Sequence, residues 1–236
     1  MDSGARVPLS DEQAAEIEDQ FRGFARRSVT NLRKLSASSL TPNPFLIELL
    51  IRGLGYQTAE QVAWFMVNQR FERSIVTSMG TTFQRVAHIV AGEIGSGTAG
   101  ADMEIQRNDV HYFVQIKSGP VTANQDIAEQ ISSKLQSARR RYGANALGTT
   151  AIVVLGICYG TQAGDIPRRV LQERGVEIMV GENFWTFLSG GDPTTMTAVR
   201  TIARRAIIPA TGAVADILSE KVRLVIPMVQ AEYGLP

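Results

Sequence analysis

The sequence predicts an α/β fold, a mixed central sheet flanked by helices, with helical additions at both ends. Three observations predict it. Residues 102–107 and 110–117 alternate with period two across Asn108-Asp109, a pair with hairpin turn chemistry. Ala151 to Tyr159 is a near-continuous apolar run, as in a strand buried on both faces. Helical spacing fills the segments between them, giving the order strand, strand, helix, strand, helix, strand, helix. A length of 236 residues suits one domain, read as an N-terminal helical part (1–75), an α/β core (76–191) and a C-terminal helical part (192–236).

The first helix opens at Ser10, an N-cap residue followed by Asp11, Glu12 and Gln13, and runs to about Leu35. The prolines of Leu40 to Phe45 make a loop, and Phe45 to Leu54 reads as a short buried helix closed by Gly53 and Gly55. A helix is expected over Thr58 to about Glu72; after it Ser78-Met-Gly80 breaks the pattern, and another helix over Phe83 to Ala91, capped by Thr81 or Thr82, is stopped by Gly92. The stretch Gly95-Ser-Gly97-Thr-Ala-Gly100 has neither the GxGxxG nor the phosphate-loop spacing and reads as the approach to a strand. Asn124 to Tyr142 is a helix with Ile127, Ile131, Leu135 and Ala138 on one face. Helices over Ile166–Arg174 and Glu182–Leu188 bracket a strand at Val176–Val180, and the tail from Thr194 is helical with interruptions at Pro209 and Pro227.

Composition excludes several classes. Apolar residues at 44% and charged residues at 20% are ordinary for a globular protein and argue against a disordered or fibrous chain. The single cysteine, Cys158, sits in the apolar run and reads as a buried thiol; no disulfide can form within the chain, which suits a reducing cytoplasm. The acidic N-terminus lacks the apolar region of a secretory signal, and no stretch has the length of a membrane span. Net charge is only +1, yet basic residues cluster at Arg22, Arg26, Arg27, Arg33 and Lys34, at Arg139 to Arg141, at Arg168 and Arg169, and at Arg200, Arg204 and Arg205. Such clusters serve either as a local nucleic-acid footprint or as solvated helix faces. His88 and His111 are the only histidines, and nothing has zinc spacing.

The hairpin carries the chemistry. A two-residue turn at Asn108-Asp109 makes Arg107 face Val110, Ile105 face Tyr112 and Asp102 face Gln115, with opposed Cβ atoms about 4.5–5.5 Å apart. Alternation then sets Lys117 on the face of Gln115, while Met103, Ile105, Tyr112, Val114 and Ile116 turn the other way, towards the core. A carboxylate with neighbouring carbonyls suits Mg²⁺, which completes its shell with water and substrate phosphate. An adjacent ammonium can hold an attacking water and stabilise charge developing on phosphorus. Asp102 is the expected metal ligand, Gln115 a carbonyl ligand or water orienter, Lys117 the water-positioning cation, and the backbone carbonyl of Ile116 a further ligand.

Asp102 followed by Gln115-Ile116-Lys117-Ser118-Gly119 resembles the D…(D/E)xK signature of the PD-(D/E)XK nucleases, with glutamine where an acid usually stands. Thr41-Pro-Asn-Pro-Phe45, Ser78-Met-Gly-Thr-Thr-Phe-Gln84, Ile157-Cys-Tyr-Gly160 and the stretch from Gly181 to Gly191 are similar to type II restriction endonucleases, nearest to the group cutting GGNCC-like palindromes. The resemblance implies a restriction-endonuclease-like core, a homodimer acting on palindromic double-stranded DNA, and Mg²⁺-dependent phosphodiester hydrolysis. It makes Asn124, Gln125 and Lys134 candidate DNA contacts. Arg70 and Arg73, flanking Glu72, are either phosphate contacts or members of exposed ion pairs. Because Gln115 brings no negative charge, another acid is expected to compensate: Glu104 first, then Glu72 or Glu93, while Gln84 resembles a helix position that sometimes carries an acid. Two other functions remain open: a repair or junction-resolving nuclease on the same fold, and a DNA-binding module without catalysis.

Overall fold

A computed structural model describes residues 9–92, 99–120, 125–143, 150–212 and 214–236. Cα packing divides the chain into two compact units. The first comprises Met1–Gln20 and Gly80–Arg204; the second comprises Phe21–Met79 and Arg205–Pro236. Eight helices are described: α1 (Asp11–Arg33), α2 (Pro44–Glu48), α3 (Ala59–Ala91), α4 (Gln125–Gly143), α5 (Asp165–Glu173), α6 (Glu182–Leu188), α7 (Thr195–Ile207) and α8 (Val214–Tyr233). Among the described residues the strands are β1 (Met103–Arg107), β2 (Val110–Lys117), β3 (Thr150–Ile157) and β4 (Glu177–Val180).

The first unit holds the sheet. Its strands lie in the order β1-β2-β3-β4; β1 and β2 are antiparallel, and β3 and β4 join parallel. The sheet is therefore mixed, as the element order predicts. The hairpin register is the one expected, Met103 opposite Val114 and Arg107 opposite Val110. Asn108 and Asp109 both have positive φ, 47° and 61°, the twist a two-residue turn needs to match its strands. Asn and Asp tolerate that region, whereas β-branched residues do not. Asp109→Val is therefore expected to lower stability by about 1–2 kcal/mol, measured as a shifted urea midpoint at unchanged slope.

Both faces of the sheet are covered. On one, Phe113, Val153, Leu155 and Ile157 pack in a single cluster with Ala128, Ile131, Leu135 and Ala138 of α4 and with Val170 and Leu171 of α5. On the other lie Met103, Ile105, Val114, Ile116 and Val154, all buried. Here α6 closes in so tightly that a Cβ on Gly156 would stand 2.1 Å from the Phe184 ring. Tyr112 meets Phe187 edge-on at 5.1 Å, and Trp185 donates its indole N–H to the Cys158 carbonyl at 2.8 Å. Arg107 fastens the hairpin to the end of α6 through the carbonyls of Phe187 and Leu188. The alternation of the hairpin suggested one covered face. The polar set instead occupies the ends of the strands, while Phe113, between Gln115 and His111, enters the core.

The second unit packs α2, the start of α3 and the end of α8 around Ile47, Leu50, Val62, Ala63, Val67, Val222 and Val225. Several expectations are corrected in the helices. Gly80 does not interrupt α3, which runs unbroken from Ala59 to Ala91; one interior glycine costs only about 1 kcal/mol, less than so long a helix recovers by packing. Pro227 lies inside α8, whereas Pro209 does stop α7 and leaves a 3-10 turn over Ile208–Ala210. The segment after Phe45 is half-buried: Ile47 and Leu50 point inward, while Phe45 is 85% exposed, and the helix widens into a π turn over Leu49–Gly53. On α4 the buried stripe runs through Ala128, Ile131, Ser132, Leu135 and Ala138, and Ile127 is 44% exposed. No described helix is long and apolar enough to cross a membrane.

Candidate active site

Asp102 stands one residue before β1, where its N–H extends the ladder to the Val114 carbonyl at 2.8 Å. The paired register ends at Met103 opposite Val114, so this bond ties Asp102 to the end of β2 without making it a ladder partner of Gln115. Three donors then converge on one carboxylate oxygen, Oδ2: the Ile116 N–H at 2.7 Å, the Gln115 amide at 3.1 Å and the Gln84 amide at 3.5 Å. Gln84 arrives from α3, so three elements meet at a single aspartate. The Ile116 N–H points toward Asp102, and the carbonyl of a strand residue lies on the same edge as its own N–H. Asp102, Gln115 and Ile116 are thus brought together.

The donor set fits a hard divalent cation. Gln115 Oε1 is buried and has no hydrogen-bond partner, although an unpaired buried carbonyl costs about 1–3 kcal/mol. Its own amide nitrogen is bonded to Asp102, so this orphaned oxygen belongs to a group already anchored at the carboxylate. A carboxylate, a side-chain carbonyl and a nearby main-chain carbonyl are the ligand types Mg²⁺ accepts. The set is poor in charge: among the described residues no group of three or more His, Cys, Asp or Glu could hold a metal.

Lys117 lies two residues beyond Gln115 on the same face, at the end of β2 and partly exposed. Its strand end is held from the neighbouring strand, because the Cys158 N–H donates to the Lys117 carbonyl at 2.9 Å. The chain then passes directly beneath Tyr159; a Cβ on Gly119 would come within 2.2 Å of the tyrosine hydroxyl.

Asp102 and Gln115 also line an open cleft of about 560 Å³ whose far wall is one stripe of α4: Gln130, Ser133, Lys134, Ser137 and Arg141. The stripe follows helical spacing of three and four residues. Lys134 was expected near DNA and Arg141 stood in a basic cluster; Gln130, Ser133 and Ser137 were missed. Their spacing was visible in the sequence, but which wall they faced was not. Gly100, with φ of 110°, lies so near α4 that a Cβ would stand 2.7 Å from the Lys134 carbonyl.

The remaining candidates are not gathered here. Glu104 shares the face of Asp102 but engages His111, with Oε2 and Nε2 3.0 Å apart. The His111 ring stacks at 4.2 Å on Tyr142 and 4.7 Å on Phe113. Gln125 bonds to Glu129 on the exposed first turn of α4. Arg70, Glu72 and Arg73 are exposed and belong to the second unit, where Arg70 lines a pocket with Asn31, Lys34, Ser39 and Ser74. Asn124 and Glu93 lie outside the described residues. Cys158 is buried, and desolvation pushes its thiol up to about 12, so it is no nucleophile at neutral pH.

A family model described as type II restriction endonuclease EcoO109I matches residues 11–207, most of the chain. No curated protein matches the sequence.

Proposed function

The chain belongs to the type II restriction endonuclease EcoO109I family, and from that premise we propose that it cuts duplex DNA at a palindromic sequence, using Mg²⁺ at Asp102. The observation that carries the reading is the single carboxylate with the orphaned Gln115 carbonyl beside it, opening onto a cleft walled by Lys134. Asp102, Gln115 and the Ile116 carbonyl would hold the ion. A bound Mg²⁺ supplies Lewis-acid neutralisation of the scissile phosphate.

The protein's own residues supply the rest. Lys117 orients the attacking water and stabilises the charge that develops on phosphorus as the bond to the leaving oxygen breaks. The Ile116 N–H and the Gln84 amide hold the Asp102 carboxylate in one orientation, so little reorganisation accompanies the reaction. Lys134 and Arg141 attract the phosphate backbone into the cleft, and Gln130, Ser133 and Ser137 offer neutral hydrogen-bond donors to it. Neutralising phosphates this way carries no sequence information, so base readout falls to other side chains. A palindromic target has two-fold symmetry, and we take the active form to be a cytoplasmic homodimer that presents one such site to each strand. An interrupted GGNCC-like palindrome is the first target to try, on the sequence resemblance.

Digestion of a sequenced plasmid tests this. With Mg²⁺ the protein is expected to give discrete fragments whose ends share one sequence, and with excess chelator none. A smear would favour a nuclease that recognises DNA shape. Binding without cutting would favour an inactive DNA-binding module, a reading to which the missing charge at Gln115 lends support.

A further inference from the structure

The Asp102 carboxylate accepts hydrogen bonds from two glutamine amides, Gln115 at 3.1 Å and Gln84 at 3.5 Å. Each glutamine has the shape of a glutamate and none of its charge. Two consequences follow for the free protein. Asp102 is already satisfied at Oδ2 by three donors, so it needs no cation to hold its place. And among the described residues Asp102 brings the one negative charge of this cluster, because Glu104, the next acid on that face, is engaged with His111.

A divalent ion entering such a site must lose part of its hydration and gains one carboxylate and neutral carbonyls in return. Mg²⁺ dehydrates reluctantly and is generally held by one or two carboxylates together with substrate phosphates. With one carboxylate, the phosphate becomes the second anionic ligand. Gln115 now turns its Nε2 to Asp102 Oδ2, so to offer Oε1 to an ion on that oxygen its amide would have to turn and give up the hydrogen bond. The free site is thus stabilised in its empty arrangement and short of the charge that would fill it.

We propose that Gln84 and Gln115 make cation capture conditional on DNA: the site takes up a divalent ion only when a phosphodiester of the substrate enters beside Asp102. The inference rests on the functional reading above and adds that the two amides are positioning residues that set the order of assembly. Linkage makes the effect reciprocal, since a ligand that tightens a second must be tightened by it to the same degree. A glutamate at either position would reverse the balance. Two carboxylates 3.1–3.5 Å apart repel each other unless a cation bridges them, so the free variant would be destabilised without metal and would bind it alone.

The test uses full-length protein and Mn²⁺, followed by calorimetry and by thermal melting without DNA. Wild type is expected to show no saturable Mn²⁺ binding and an unmoved melting temperature. Gln115→Glu and Gln84→Glu are each expected to bind Mn²⁺ at least tenfold more tightly, to melt lower than wild type in chelator and to recover when Mn²⁺ is added. Adding Asp102→Asn to either variant should remove the gain. In a Lys117→Ala background, which slows cutting, Mn²⁺ should tighten binding of a duplex carrying the mapped site at least tenfold with Gln115 present, and less with Gln115→Glu. Free wild type that binds Mn²⁺ as tightly as both glutamate variants would overturn the proposal, even if the protein cuts DNA. Absence of cutting by wild type, with the Mn²⁺ pattern intact, would instead overturn the functional reading and support the coupling.

Discussion

Asp102→Asn is expected to reduce single-turnover DNA cleavage by about 10²–10³-fold or more, the scale at which one preorganised electrostatic group acts, while leaving the fold intact. Asparagine has the size of aspartate, and its carbonyl still accepts the Ile116 N–H that Oδ2 accepts at 2.7 Å in wild type. The backbone bond from residue 102 to Val114 does not involve the side chain. What is lost is the only full negative charge in the cluster formed with Gln84, Gln115 and Ile116. The loss should therefore appear in the rate, with a melting temperature within a few degrees of wild type. A variant that unfolds would mean that Asp102 is a structural cap on the hairpin, and a variant that still cuts would place the reaction elsewhere.

Gly156→Val is expected to have the largest effect on stability. Gly156 lies in β3, paired with Ile116 on one side and Met179 on the other, so it cannot shift sideways without breaking both ladders. A Cβ there would be 2.1 Å from the Phe184 ring, and Phe184 is itself fully buried. Overpacking of this kind costs about 1–3 kcal/mol and sometimes more, and valine adds two further carbons to the clash. Chemical denaturation should show the loss. Pairing the substitution with Phe184→Ala should recover part of it, because the two changes share one contact and their effects are not additive. A Gly156→Val protein as stable as wild type would mean that α6 does not pack on this strand.

How much of this was readable in the sequence depends on the range of the physics. The hairpin register followed from the turn alone, because two residues with positive φ leave no freedom in which residues oppose each other. The paired register stops one residue short of Asp102, so the neighbourhood of Asp102 and Gln115 was legible, while their contact is made by side chains. The element order and the mixed sheet were legible for the same reason: they follow from short-range periodicity and the lengths of connections. Gln84 was flagged only by resemblance, since nothing local to α3 reveals that its amide reaches a carboxylate 18 residues ahead.

The misreadings arise where tertiary packing decides. Gly80 and Pro227 were judged by what each residue prefers on its own, and packing around a long helix outweighed that preference; Ile127 was placed by helical spacing, yet in the first turn of α4 it is 44% exposed. Glu104 shows the complementary limit. Its strand parity was right, yet parity cannot tell that His111, two positions from the turn, would take the carboxylate first. The α4 wall of the cleft is a further case: the stripe from Gln130 to Arg141 was periodic in the sequence, but only the sheet beneath it decides which way a polar stripe faces.

The central claim is that the polar end of the hairpin, and not some other part of the molecule, cuts DNA. Its most direct test is Lys117→Ala, assayed in one solution for Mg²⁺-dependent cleavage and for affinity toward the same duplex. The account predicts cleavage lowered by about 10²-fold or more with DNA affinity within a few-fold of wild type. Cleavage at the wild-type rate by Lys117→Ala would contradict it.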